Sequence, residues 1–254
     1  MIAWIKSLRL PICFLAGLLA VASFRIANMN VPWIEVIAVF FVACAIMLQN
    51  DWRDRRHDGH KGKTLAIQHQ EAFLALLLTF WTVSCGLILV AITRDSNIGI
   101  ALVTMAFVGL IYSEVRRIPL APIILVALTS GSPALLPIVA GAHEGNAWLV
   151  FLSATLIIFG REIIKDIDDE RIDNGYKWTI PLVLGSKRAR GIAAVAIVIG
   201  LAVAVRVSLM ILPASLLAMV GVVLLIRGSH PSASRIYLDV GAALTVLTFV
   251  ILRG

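Results

Sequence analysis

The sequence predicts an all-α, polytopic membrane protein with about nine transmembrane helices, and three observations carry that prediction. Of its 254 residues, 60% are hydrophobic and only 15% are charged, where a soluble domain carries about 25% charged residues. The apolar stretches run unbroken for about 17 to 22 residues, the length a spanning helix needs. Barrel strands would instead alternate apolar and polar positions over about 10 residues. The basic residues gather at alternate ends of these stretches. So much apolar surface cannot be hidden in one globular core, so lipid must solvate most of it.

The expected spans are 8–27, 31–49, 71–92, 97–113, 119–141, 147–165, 189–206, 208–226 and 237–253. The first follows Lys6 and Arg9 and runs apolar to Phe24. It has the outline of a signal peptide and is read as a retained first helix. The fifth is interrupted by Thr129-Ser130-Gly131-Ser132-Pro133 and then Pro137, a break tolerated where it faces protein or a cavity. Thr129 to Ser132 would line that cavity or serve ordinary small-residue helix packing. Cys13, Cys44 and Cys85 stand singly in apolar segments without ligand spacing, as inert residues do.

With the N-terminus in the cytoplasm, 18 of the 22 Lys and Arg residues face that side, leaving only Arg25, Arg94, Arg206 and Arg253 opposite. Such asymmetry fixes orientation. It also explains the net charge of +7 without nucleic acid as a partner. No soluble module or linker interrupts the chain, so residues 1–254 read as one membrane domain. Two acidic loops, after the second and sixth spans, then share the cytoplasmic face.

The first acidic stretch is Asn50-Asp51-Trp52-Arg53-Asp54-Arg55-Arg56-His57-Asp58. If the second helix continues beyond its apolar part, Asn50, Asp54 and Asp58 recur every fourth residue with Asp51 beside them, forming one stripe. In the second, Glu162, Asp166, Asp169 and Asp173 are spaced four, three and four, again a single helix face, with Arg161, Lys165 and Asp168 on a neighbouring stripe. Two carboxylate stripes at one mouth repel each other when empty. Hard divalent cations relieve that repulsion. Mg²⁺ takes oxygen ligands and is commonly shared between one or two carboxylates and substrate phosphates. The plainer alternative is a solvated charged surface, with Arg53, Arg55 and Arg56 pairing to Asp51, Asp54 and Asp58.

Asn50-Asp51-x-x-Asp54-x-x-x-Asp58 resembles the first signature of the UbiA superfamily of intramembrane prenyltransferases, and Asp166-x-x-Asp169-x-x-x-Asp173 resembles the second. The run Gly160-Arg161-Glu162-Ile163-Ile164-Lys165-Asp166-Ile167 is most similar to the branch that prenylates glycerol-phosphate lipids. The resemblance implies helices around a central cavity capped by the two loops, with Mg²⁺ held by Asp51, Asp54, Asp166 and Asp169 on the diphosphate of an allylic prenyl donor, and Asn50, Asp58 and Asp173 in support. Tyr112-Ser113-x-x-Arg116-Arg117 is similar to a family segment in which Tyr112 would lie near the allyl group and Arg116 and Arg117 would bind diphosphate. Gly175-Tyr176-Lys177-Trp178-Thr179-Ile180-Pro181 resembles the stretch after the second signature, and gives Lys177 a phosphate role. The other partners implied are membrane lipids and a hydrophobic, aromatic or lipid acceptor.

Plainer readings stand beside these: the Arg116–Arg117 pair as a positive-inside anchor, and Lys177 as a solvated loop residue. His57, His60 and His69 lack the spacing of a transition-metal site and are read as solvated or close to the diphosphate. The sequence also departs from the family. An Asn-Arg-Pro-x-Arg-Pro segment common after the first signature is replaced by Asp58-Gly-His-Lys61-Gly-Lys63, and Pro122-Ile123 stands where relatives carry Gly-Asn. A membrane terpene cyclase and a cation-binding transporter remain as alternatives. A transporter would place its ionisable groups near the bilayer midplane rather than at helix ends.

Overall fold

A computed structural model describes residues 4, 7–59, 64–112, 114–115, 117–142 and 146–251. Each expected span contains a helix: α1 Leu10–Ile26, α2 Trp33–Gly59, α3 Gln70–Arg94, α4 Ser96–Ile111, α5 Ala121–Val139, α6 Asn146–Asp168, α7 Ser186–Val207, α8 Leu209–Ile226 and α9 Pro231–Ile251. Among the described residues, seven of these are long and apolar enough to cross a membrane. The other two, α1 with 17 residues and α4 with 16, fall short of the roughly 20 needed to span, so the expected count of nine becomes seven full-length helices and two shorter ones.

Local chemistry sets the ends. Pro11 lies in the first turn of α1, where its missing N–H costs nothing. Asp95 caps α4 by accepting from the backbone N–H groups of Asn97 and Ile98. Pro231 opens α9, which therefore begins six residues before the expected 237. The break in α5 is a 3₁₀ turn over Ser132–Leu135, placed where Pro133 and Pro137 cannot donate helical hydrogen bonds.

The helices close a ring: each packs on its sequence neighbour, and α9 returns to α1. The α6–α7 seam is the tightest part. A Cβ at Gly160 would lie 2.5 Å from Ile197 Cγ1 and 2.8 Å from the Ala193 carbonyl, and one at Gly200 would lie 2.8 Å from Ile157 Cγ1. Small residues let the backbones approach this closely, and Gly160 stands immediately before the acidic part of α6. Arg161 then ties α6 to α9, donating from Nε and Nη2 to Asp239 at 2.5 and 3.1 Å. Outward side chains such as Leu89, Phe107, Val195 and Leu216 are about 60% exposed, as lipid-facing residues are. An apolar groove of about 650 Å³ opens beside α6 and α7, between Leu156, Phe159, Leu184 and Ile199. Among the described residues, Arg188 is the only charged one in its lining, so the groove is separate from the acidic mouth described next.

Candidate active site

The second helix does continue beyond its apolar part, running 27 residues to Gly59. Asn50, Asp51, Asp54 and Asp58 therefore share one unbroken helix, with Asn50, Asp51 and Asp58 buried. The second acidic stretch does not form the single helix expected. α6 ends at Asp168, Asp169 leaves helical geometry at φ −91° and ψ 1°, and a separate turn spans Glu170–Asp173. The physical reason is at hand: three successive carboxylates, Asp168 to Glu170, would crowd the negative end of the helix dipole. The break leaves Asp168 exposed beside Arg235, keeps Asp166 buried, and turns Asp173 fully inward.

The two acidic ridges face each other in direct contact. The Tyr176 hydroxyl donates to Asp54 Oδ1 at 2.8 Å, and His57 Nε2 lies 3.1 Å from Asp173 Oδ1. The rings of His57 and Tyr176 stack between them, centroids 3.7 Å apart and planes 7° from parallel. Both loops are thus at one end of the bundle. The loop that delivers Tyr176 turns at Gly175, whose φ of +78° is a conformation glycine adopts without the Cβ penalty. Trp178 anchors the far side of this loop against a core that includes Ile180 and Ile163.

Two cations sit among the carboxylates. Lys177 Nζ lies 2.9 Å from Asp166 Oδ1 and 2.8 Å from Asp173 Oδ2. Burial disfavours its charge, but Asp166 and Asp173 outweigh that and hold its pKa above the ordinary value. Arg9 donates from Nη2 to Asp51 Oδ1 at 2.6 Å, and Ser7 Oγ donates to Asp51 Oδ2 at 3.3 Å. Burial again opposes the Arg9 charge; Asp51 first, then Tyr112, Asp58 and Glu162, raise its pKa. The sequence reading treated Arg9 as an orientation anchor, and nothing in the acidic spacing pointed to it. Arg9 precedes a helix started by Pro11 and has φ 47° and ψ 41°, a left-handed conformation that costs a non-glycine residue about 1 to 2 kcal/mol.

Among the described residues, two of the three arginines of the first stretch have partners other than its aspartates. Arg53 pairs with Glu114 at 3.0 Å, and Arg55 lies over the Trp52 ring, 4.2 Å from its centroid. His57, expected to be solvated or near the diphosphate, has a side chain only 11% exposed. Tyr112 is half-buried at the end of α4, near enough to Arg9 to influence its charge, whereas Arg117 is exposed. Arg116, Lys61, Lys63 and His60 lie outside the described residues.

Among the described residues, no three His, Cys, Asp or Glu side chains converge on a single metal position. The mouth offers instead hard oxygen donors from both ridges, with the buried Asn50 Oδ1 lacking a hydrogen-bond partner among the described residues. That donor set fits Mg²⁺, which takes one or two carboxylates and completes its shell with water and phosphate oxygens.

A family model described as the UbiA prenyltransferase family matches residues 10–247. The chain belongs to the UbiA prenyltransferase family. It is therefore an integral, multi-pass membrane enzyme that transfers prenyl groups. Among curated relatives of this UbiA protein is the digeranylgeranylglyceryl phosphate synthase of Thermococcus gammatolerans, 26% identical over 201 residues, covering 76% of this chain and 72% of that protein. The enzyme of the same name from Thermococcus kodakarensis is 29% identical over 212 residues, covering 76% and 72%. A UbiA homolog from Aeropyrum pernix K1, solved in its apo form, shares the fold with a TM-score of 0.69 at 16% identity, over 94% of this chain and 96% of that one. A structure from work on digeranylgeranylglyceryl phosphate synthase in membranes does so with a TM-score of 0.68 at 18% identity, over 98% and 96%.

Proposed function

We propose that this UbiA prenyltransferase uses Mg²⁺ to transfer a prenyl group from an allylic prenyl diphosphate to a glycerol-phosphate lipid, at a mouth that opens to the cytoplasm. Residues 1–254 act as one catalytic domain. The observation that carries the reading is the apposition of the two acidic ridges, joined through Tyr176 to Asp54 and through His57 to Asp173. Ridges this close can share ions with one diphosphate. The acceptor class is supported by the Gly160–Ile167 run and by the two relatives named digeranylgeranylglyceryl phosphate synthase.

Asp51, Asp54, Asp166 and Asp169 are the proposed metal-binding residues, with Asn50, Asp58 and Asp173 supporting them. Mg²⁺, when bound, supplies positive charge that stabilises the departing diphosphate. Lys177 and Arg9 already lie within the mouth as cations, oriented by Asp166, Asp173 and Asp51. They are placed to meet phosphate oxygens as charge develops there, which needs little reorganisation. Arg116 and Arg117 are further diphosphate partners, and Tyr112 the residue nearest the allyl group. The donor tail runs into the apolar bundle, whose side chains exclude water from the reacting carbon.

The test is product analysis by mass spectrometry after incubating purified protein with Mg²⁺, prenyl diphosphates of several lengths, and a panel of aromatic acids, quinone precursors and glycerol-phosphate lipids. The reading expects an ether-linked second prenyl chain on the phosphate lipid and none without Mg²⁺. A prenylated aromatic product would overturn the acceptor, and a cyclised hydrocarbon from donor alone would overturn the transfer reaction.

A further inference from the structure

His57 and Tyr176 come from opposite ridges, and each binds the carboxylate that belongs to the other's ridge. His57 lies on α2 one residue before Asp58 and reaches Asp173; Tyr176 lies three residues after Asp173 and reaches back to Asp54. Their rings stack face to face along the way, 3.7 Å between centroids. The exchange is crossed, so neither hydrogen bond can open without disturbing the stack.

We infer that His57 and Tyr176 form a latch that holds the two acidic ridges at a fixed separation before any donor arrives, making them positioning residues for the transfer reaction. The latch opposes the mutual repulsion of the ridges, whose carboxylates lie on different segments of chain. Lys177 does not substitute for it. Its two partners, Asp166 and Asp173, both belong to the second ridge, so it braces that ridge internally and does not span the gap. Arg9 bridges α1 to Asp51 and likewise leaves the gap unspanned. A preset gap lowers the ordering that donor binding requires, so the latch should appear in donor affinity more than in the chemical step.

This inference rests on the proposed function for what the gap holds, but the latch itself exists in the donor-free chain and is measured there. The experiment compares thermal unfolding of the full-length protein in detergent with EDTA and no donor, for His57→Ala, Tyr176→Ala and the double variant. Residues acting as one unit are strongly non-additive. The double variant is expected to melt within about 1 °C of the less stable single variant. Losses that simply add would overturn the latch. Tyr176→Phe, which keeps the ring and loses only the bond to Asp54, guards against misfolding of the alanine variants and should melt between wild type and Tyr176→Ala. If it melts with Tyr176→Ala, the stack contributes nothing and the inference fails. In turnover assays His57→Ala and Tyr176→Phe are expected to raise the donor KM about tenfold, with kcat within about threefold of wild type. An unchanged KM with a large fall in kcat would contradict a positioning role. A wild-type protein that shows the thermal coupling yet transfers no prenyl group would sink the proposed function and leave the latch standing.

Discussion

Lys177 sits between Asp166 and Asp173, its ammonium 2.9 Å from one carboxylate and 2.8 Å from the other. It locks the end of α6 to the turn beyond the helix break, and so holds the second ridge together.

The pH dependence of that lock follows from sign. The folded-state pKa of Lys177 is raised above its ordinary 10.5, so its stabilisation is fully present below 10.5 and fades only as pH rises through the higher folded value. Lys177→Met should lower stability by about 3 kcal/mol, because two buried carboxylates lose the cation between them. The difference from wild type should stay flat between about pH 6 and 9 and shrink only above about 10.5. Denaturation measured across that range checks it. A difference that shrinks near neutral pH would mean that Lys177 is not the partner of these carboxylates.

Arg9 and Asp51 form a second ion pair at the mouth, with side chains 24% and 9% exposed. Partial exposure screens the pair, so Arg9→Met should cost about 2 kcal/mol, below the range for a fully buried pair. Arg9→Lys should recover only part of that, since an ammonium cannot reproduce the reach and planarity of a guanidinium. A double-variant cycle with Asp51→Asn measures the coupling directly. Additive losses would place the contribution of Arg9 elsewhere.

Gly160 sets the α6–α7 spacing just before the acidic residues. Gly160→Val would drive its side chain against Ile197 and the Ala193 carbonyl. It should destabilise the protein by about 1 to 3 kcal/mol and shift Asp166 relative to the first ridge. The expected signature is a fall in both thermal stability and donor affinity. Gly191, where an added Cβ meets nothing within 4 Å, supplies the control on the exposed face of α7, and Gly191→Ala should be nearly silent in both measurements.

The parts of this architecture that depend on one-dimensional pattern could be read from sequence. Apolar run length located the nine long helices, and the four-residue recurrence of Asn50, Asp54 and Asp58 fits an α2 that continues to Gly59. The pairing of two ridges was legible because like-charged stripes at one mouth demand a shared counter-charge. What pattern could not convey was the third dimension. Glu162 to Asp173 has helical spacing, yet the helix dipole and three adjacent carboxylates end α6 at Asp168. Arg9 looked like one more positive-inside residue, and only the approach of α1 to α2 brings it to Asp51. His57 and Tyr176 are 119 positions apart in sequence and carry no shared motif, so their stack depends wholly on how the loops meet.

The most direct test is Mg²⁺-dependent binding of a prenyl diphosphate, without acceptor, to wild type, Asp51→Ala and Asp166→Ala, each confirmed folded by circular dichroism and thermal melting. If both ridges grip one diphosphate, each substitution should weaken binding by about 100-fold or more, roughly the 3 kcal/mol expected for a charged contact of this kind, and abolish turnover. Near-normal affinity and activity in either folded variant would contradict the account.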